Sequence, residues 1–123
     1  MGDAFHRDCP ARMVLDHVAG RWAVLVLTAL RDGPLRFHEL RKKIEGVSEK
    51  MLSQTLRTLV RDGFVRRTVT PSTPPQVSYA LTGLGEGVTE SLRSLFDWVR
   101  DHAGDILAAQ NSYDRELPAA GGG

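Results

Sequence analysis

The clearest structural signal in the chain is the segment Ser48-Glu-Lys-Met-Leu-Ser-Gln-Thr-Leu-Arg-Thr-Leu-Val-Arg61. At about 100° per residue, its Leu and Val side chains gather on one side of a helix. Its Lys, Gln and Arg side chains gather on the opposite side, and that outer strip carries no carboxylate. Ser48 is a favourable N-cap, and Gly63 ends the helix as a C-cap would. The segment therefore predicts an amphipathic helix with one apolar and one cationic face.

The residues on either side of this helix predict a winged helix-turn-helix. A short helix over about Arg36–Ile44 precedes it, and Gly46-Val47 forms the tight turn between the two. Downstream, strands over Phe64–Thr70 and Gln76–Thr82 enclose a loop with three Pro residues, which cannot continue a sheet. The predicted fold class is mainly α with a small β-hairpin (α+β).

Three further helices are predicted around this unit. Two begin at Cys9-Pro10 and Arg21, and a long one follows Thr82 over about Leu84–Leu107. The first and last carry more apolar surface than one small core absorbs, which favours a symmetric homodimer. The predicted dimer-interface residues are Met13, Val14, Leu92, Leu95, Phe96, Trp98 and Val99.

Length and composition indicate one soluble domain in the cytoplasm. The 123 residues fit a domain over 9–110, between a flexible N-terminus at 1–8 and a disordered tail at 111–123. The longest apolar run, Trp22–Leu30, is too short to span a membrane, and no signal peptide is predicted. The chain lacks catalytic and cofactor motifs and a four-ligand metal pattern, so we expect no enzyme activity, no cofactor and no metal.

Positive charge is concentrated in the middle of the chain. Between Arg31 and Arg67, ten Lys or Arg residues accompany five Asp or Glu, a net charge of +5. The remainder has six basic and ten acidic residues, a net charge of −4. An electropositive module between acidic flanks favours a polyanionic partner.

The cationic face of the Ser48–Arg61 helix has the side-chain types that bind DNA. A major groove accepts one helix, and Lys, Arg, Gln and Ser reach its base edges and phosphates. A merely solvated face, the alternative, would mix both signs of charge. The residues assigned to base or mixed contacts, near the helix N-terminus, are Lys50, Ser53, Gln54 and Arg57. The other predicted DNA-binding residues are Ser48, Arg61, Arg41, Lys42, Lys43, Arg66 and Gln76.

Several segments resemble the HxlR-type winged-helix regulators of bacteria and archaea. They include Ala19-Gly-Arg-Trp22, Leu35-Arg-Phe-His-Glu-Leu40, Gly46-Val-Ser-Glu-Lys-Met-Leu52 and Pro74-Pro-Gln-Val-Ser-Tyr-Ala-Leu-Thr82. The resemblance implies dimeric transcription factors that bind palindromic operators in double-stranded DNA, often as repressors. It also implies a dimer interface built from the first and last helices.

The wing departs from the pattern of that family. Where the family usually has a basic residue after Pro-Pro and an acidic one before Tyr, this chain has Gln76 and Ser78. A neutral wing shifts the expected DNA-binding energy onto the helix of Ser48–Arg61.

Cys9 is the single cysteine, at the predicted start of the first helix. A helix N-terminus and the cations Arg7 and Arg12 favour the reactive thiolate, whereas Asp8 opposes it. The resemblance implies sensing of oxidants or electrophiles through a cysteine at this place. The possible products are an intersubunit disulfide, a mixed disulfide, or an adduct with a quinone or aldehyde.

The function predicted from the sequence is a dimeric, sequence-specific repressor whose DNA binding is switched by modification of Cys9. Two alternatives remain open. In the first, Cys9 is a small buried hydrophobe, and the regulator responds instead to a small apolar ligand at the dimer core. The second is a protein-binding winged helix without a DNA role, which the cationic helix face disfavours.

Overall fold

The computed structural model describes residues 6–117, which form α-helices and a small antiparallel sheet. The helices are α1 (Pro10–Val18), α2 (Arg21–Ala29), α3 (Phe37–Lys43), α4 (Glu49–Arg61), α5 (Gly83–Asp101) and α6 (Ala103–Glu116). The strands are β1 (Leu35–Arg36), β2 (Val65–Thr70) and β3 (Gln76–Leu81). This order confirms the predicted mainly helical fold with a helix-turn-helix and a β-hairpin.

The packing of α4 against α2 forms the centre of the core. Val26 and Leu27 of α2 are fully buried, as are Leu52 and Leu59 of α4. Full burial of a Val or Leu side chain contributes about 1.5 to 3 kcal/mol. The apolar stripe predicted for α4 is therefore the side that holds this helix in the fold.

A hydrogen bond joins α1 to the end of α4. Nδ1 of His17 lies 2.6 Å from Oδ2 of Asp62, the C-cap of α4. The Asp62 side chain is largely buried, and the His17 ring is partly buried. The contact fixes where α4 ends relative to α1.

The sheet has the strand order β1-β3-β2 and is antiparallel throughout. The pair β2–β3 is the predicted hairpin, with Val65 opposite Leu81 and Thr70 opposite Gln76. The strand β1, which pairs with β3, is not predicted from the sequence. It has only two residues, too few for the alternation that marks a strand.

The C-terminal region contains two helices, whereas the sequence predicts one over about Leu84–Leu107. α5 ends at Asp101 and α6 begins after His102, whose ring stacks on Trp98 with the ring centroids 4.1 Å apart. Nδ1 of His102 also lies 2.8 Å from the carbonyl oxygen of Trp98. His102 has φ −109° and ψ 10°, outside helical geometry, and separates the two helices.

The helix α6 extends into the segment predicted as a disordered tail. It continues to Glu116, so residues 111–116 are helical. The polar composition of α6 gives no apolar repeat, so the sequence does not predict a helix in this segment. Residues 118–123 of the predicted tail and 1–5 of the predicted N-terminus lie outside the described residues.

The chain divides into two compact units, one ending at Ser91 and the other beginning at Leu92, within α5. Among the described residues, no single helix is long and apolar enough to cross a membrane. In this part of the chain, the bent pair Pro10–Val18 and Arg21–Asp32 passes that test jointly by length and composition.

The start of α5 approaches the backbone that precedes β2 very closely. The N–H of Gly85 donates to Oγ1 of Thr82, which in turn donates to the carbonyl oxygen of Gly63. A Cβ atom at Gly85 would lie 2.0 Å from the carbonyl oxygen of Phe64. Glycine is therefore required here by close packing, although it weakens an isolated helix.

We expect Gly85→Ala to lower the free energy of unfolding by about 1 to 3 kcal/mol, because a backbone carbonyl must shift to admit the methyl group. Gly87→Ala is the matched control, since a Cβ there meets nothing within 4 Å. That variant is expected to gain up to about 1 kcal/mol from helix propensity. Urea denaturation followed by circular dichroism measures both, and equal stabilities of the two variants would contradict the packing argument.

Candidate nucleic-acid interface

The helix α4 presents a cationic face on the side opposite its buried leucines. Lys50, Gln54, Arg57 and Arg61 are exposed, and Ser53 is half-buried at the edge of this face. The one carboxylate of α4 belongs to Glu49 in its first turn, where it complements the positive end of the helix dipole. The strip from Lys50 to Arg61 thus combines positive charge with hydrogen-bond donors.

Capping and two glycines fix the ends of α4. Oγ of Ser48 accepts a hydrogen bond of 3.0 Å from the N–H of Met51, which confirms the predicted N-cap. Gly46, in the turn before α4, has φ +88°, and Gly63, just after α4, has φ +85°. Both values favour glycine, so the turns that orient α4 are specified by the sequence.

The basic cluster Arg41, Lys42 and Lys43 occupies the last turn of α3 and is exposed. Leu40, on the same helix, is fully buried and anchors this turn to the core. Cations at a helix C-terminus also complement the helix dipole, so part of the cluster's role is to stabilise α3. The structure places the three cations on the surface directly before the turn into α4.

The wing carries a guanidinium that sequence reasoning missed. Nη2 of Arg36, on β1, donates a hydrogen bond to Oε1 of Gln76, on β3. Arg36 lies opposite Ser78 in the register, so Arg36, Gln76 and Ser78 share the outer face of the sheet. No local signal reveals this contact, because its partners are 40 residues apart and β1 is too short to recognise from sequence.

The neighbouring arginines of β2 lie on opposite faces of the sheet. Arg66 is opposite Ala80 and Arg67 is opposite Tyr79. Arg67 lines a cleft of about 290 Å³ beside α4, and Arg66 is not among the residues that line it. The structure thus places Arg67 beside the cationic helix, and the assignment of Arg66 to DNA stays a prediction.

Cys9 caps α1 and is buried, with 7% of its surface exposed. Its carbonyl oxygen accepts a 3.1 Å hydrogen bond from the N–H of Arg12 in the first turn of α1. The predicted position at the start of a helix is confirmed, and the thiol is shielded from solvent in this chain.

Most residues predicted for a dimer interface are exposed apolar side chains. Trp98 is 55% exposed, and Val14 and Leu92 are half-buried. The other exposed members of the predicted set are Met13, Leu95, Phe96 and Val99. Large exposed apolar residues that the sequence did not single out are Leu15, Leu25, Met51, Val69, Leu84, Leu107 and Tyr113. Among the described residues, no cluster of three or more His, Cys, Asp or Glu residues is arranged to hold a metal ion.

The HxlR-like helix-turn-helix family model matches residues 17–106. The chain belongs to this family. It is 50% identical over 110 residues to YtfH of Escherichia coli, an uncharacterised HTH-type transcriptional regulator, covering 89% of this chain and 87% of that one. Because the family is a helix-turn-helix family and its relatives are transcriptional regulators, this chain is a DNA-binding transcriptional regulator.

Solved structures of HxlR-like relatives have the same fold. YtfH of Salmonella typhimurium, a transcriptional regulator, is 49% identical, with a TM-score of 0.82 over 90% of this chain and 99% of that chain. Diamide-treated YodB of Bacillus subtilis is 33% identical, with a TM-score of 0.67 over 78% of this chain and 96% of that chain.

Substitution of Ser48 separates helix stability from charge at this HxlR-like helix-turn-helix. We expect Ser48→Ala to lower the free energy of unfolding by about 0.5 to 2 kcal/mol through loss of the cap. Ser48→Asp retains the cap but adds a carboxylate beside the cationic face, so stability is kept and DNA affinity falls. Thermal melting and fluorescence anisotropy measure the two effects. If Ser48→Ala melts like the wild type, the cap does not stabilise α4.

Proposed function

We propose that this chain is a homodimeric repressor that binds a palindromic operator through α4 and is switched by modification of Cys9. The observation that carries the DNA-binding part is the exposed strip of α4, which lacks a carboxylate from Lys50 to Arg61. An exposed helix face without negative charge suits a polyanion. The leucines of α4 face the core, so the cationic face is free to enter a major groove.

The side chains of α4 divide between base and phosphate contacts. Lys50, Ser53, Gln54 and Arg57 lie in the first three turns, which approach the bases in helix-turn-helix complexes. Arginine pairs with two acceptors of guanine, and glutamine pairs with adenine. Arg61 and the cluster of Arg41, Lys42 and Lys43 contact phosphates and set the position of the helix.

A dimer supplies two copies of α4 to one operator. The exposed apolar residues Leu95, Phe96, Trp98 and Val99 support such an assembly, because a water-soluble monomer gains nothing from exposing them together. A two-fold symmetric dimer reads two half-sites about 34 Å apart, one helical turn of DNA. The operator is therefore palindromic, and the protein acts in the cytoplasm, where the DNA lies.

Modification of Cys9 at the start of α1 is the proposed switch. The similar protein YodB has been solved after treatment with diamide, a thiol oxidant, which supports a thiol response in this family. In an intersubunit disulfide, two Cys9 thiols pass two electrons and two protons to diamide and form one S–S bond. A mixed disulfide with a small thiol, or an adduct with a quinone or aldehyde, changes the same position.

The burial of Cys9 favours a second candidate function. Cys9 is only 7% exposed, so reagents reach its thiol only when the surrounding residues move, and buried cysteines often serve as small apolar residues. In that case the regulator responds to a small apolar ligand at the dimer core, and Cys9 is structural.

Operator binding tests the assignment of α4. We expect the protein to bind DNA from upstream of its own or the adjacent gene selectively, with two chains per site and affinity that falls steeply with salt. Arg57→Ala is expected to cost about 1 to 3 kcal/mol, roughly 5- to 200-fold in Kd. Gln76→Ala, on the wing, is the control and should cost less than about threefold. Fluorescence anisotropy over a salt series gives these values, and equal losses for the two variants would refute the dominant role of α4.

Oxidation of the wild type and of Cys9→Ser discriminates the two candidate functions. We expect diamide to weaken operator binding of the wild type about tenfold or more and dithiothreitol to restore it, whereas Cys9→Ser stays unaffected. Since Cys9 is the only cysteine, no other thiol contributes. A wild type that keeps its affinity in diamide supports the ligand-responsive regulator instead.

A further inference from the structure

A cleft between α4 and the sheet has the side chains of an anion site. Its volume is about 290 Å³. The polar residues that line it are Arg57, Arg67, Ser53 and Tyr79. The apolar lining consists of Phe37, Leu56 and Val60. No carboxylate is among these lining residues, so nothing in the cleft neutralises its two positive charges.

Arg67 is exposed on the inner face of β2. Side chains alternate between faces, so Arg67 lies on the same face as Val65, which is 2% exposed in the core. Val65 is the only buried residue of β2, and Arg67 stands beside α4 where this face leaves the core. Two cationic side chains that line one cleft raise its positive potential, which favours binding of an anion.

We propose that this cleft holds a phosphate of the DNA backbone and that Arg67 is its principal ligand, while Arg57, one of the base or mixed contacts of α4, lines the same cleft. The inference rests on the proposed insertion of α4 into the major groove, which brings the sugar-phosphate strand along the flank of the helix. A guanidinium group donates two parallel hydrogen bonds to phosphate oxygens, which an ammonium group cannot reproduce. The hydroxyl groups of Ser53 and Tyr79 add neutral donors at the same cleft.

A phosphate contact makes a distinctive contribution to binding. It fixes the position of the protein on the duplex and carries no sequence information, so its loss weakens binding to operator and unrelated DNA alike. Each phosphate contact also releases counterions, so its loss reduces the salt dependence by a defined amount. Arg66, one residue earlier on the opposite face, is the matched control because the strand, the residue type and the exposure are the same.

The experiment compares Arg67→Ala, Arg67→Lys and Arg66→Ala in the full chain by fluorescence anisotropy, with operator and unrelated DNA over a salt series. For Arg67→Ala, we expect about a tenfold loss of affinity for both DNAs and a salt slope that is smaller by about 1. Arg67→Lys is expected to keep the salt slope and recover only part of the affinity, because it keeps the charge but loses the paired hydrogen bonds. Arg66→Ala, which removes the same charge outside the cleft, is expected to lose less affinity than Arg67→Ala.

The proposal is wrong if Arg67→Ala and Arg66→Ala behave alike, or if Arg67→Ala weakens operator binding without changing the salt slope. Thermal melting of each variant without DNA verifies that the fold is retained. A titration with inorganic phosphate distinguishes the source of the anion. If phosphate stabilises the wild type but not Arg67→Ala, and the two bind DNA equally, the cleft serves a small phosphate compound and its assignment to DNA is overturned.

Failure of the proposed function gives a different result. A wild type that binds neither DNA at any salt concentration refutes DNA binding by α4 and, with it, the backbone contact. Operator binding that is lost in Arg57→Ala but unchanged in Arg67→Ala keeps the proposed function and removes Arg67 from the interface.

Discussion

The packing of three leucines of α4 against the core fixes the rotation of this helix about its own axis. Leu52, Leu56 and Leu59 are almost wholly buried, so the residues about half a turn away must face outwards. Any other rotation would bury Lys50 or Arg57 without a partner, which costs several kcal/mol. The orientation of the cationic face, the position of the cleft beside it and the direction in which β2 leaves α4 all depend on this contact.

The sequence predicted those elements whose signals are local. The bounds of α4, its Ser48 cap and the hairpin all follow from caps, glycines and alternation within a few residues. The strand β1 and its Arg36–Gln76 contact depend on pairing between distant residues, and two residues cannot show a period. The interruption at His102 arises from contacts with Trp98 that helix periodicity does not encode.

The candidate interface was predicted more completely on the helix than on the sheet. On α4, the helical rotation of about 100° per residue predicts whether each side chain faces the core or the solvent. On β2, Arg66 and Arg67 lie on opposite faces, and the alternation from the buried Val65 could have shown that Arg67 is on the inner face. The burial of Cys9 could not be predicted, because a cysteine at a helix start is compatible with either a reactive or a packed thiol.

The division of α4 into a buried and an exposed strip also affects how this regulator evolves. Lys50, Gln54 and Arg57 make no contribution to the core, so exchanging them costs little folding stability. If α4 reads the operator as proposed, a duplicated copy can acquire new target promoters through a few surface substitutions while it keeps the same scaffold. Folding then places little limit on which DNA sites such a copy can come to recognise.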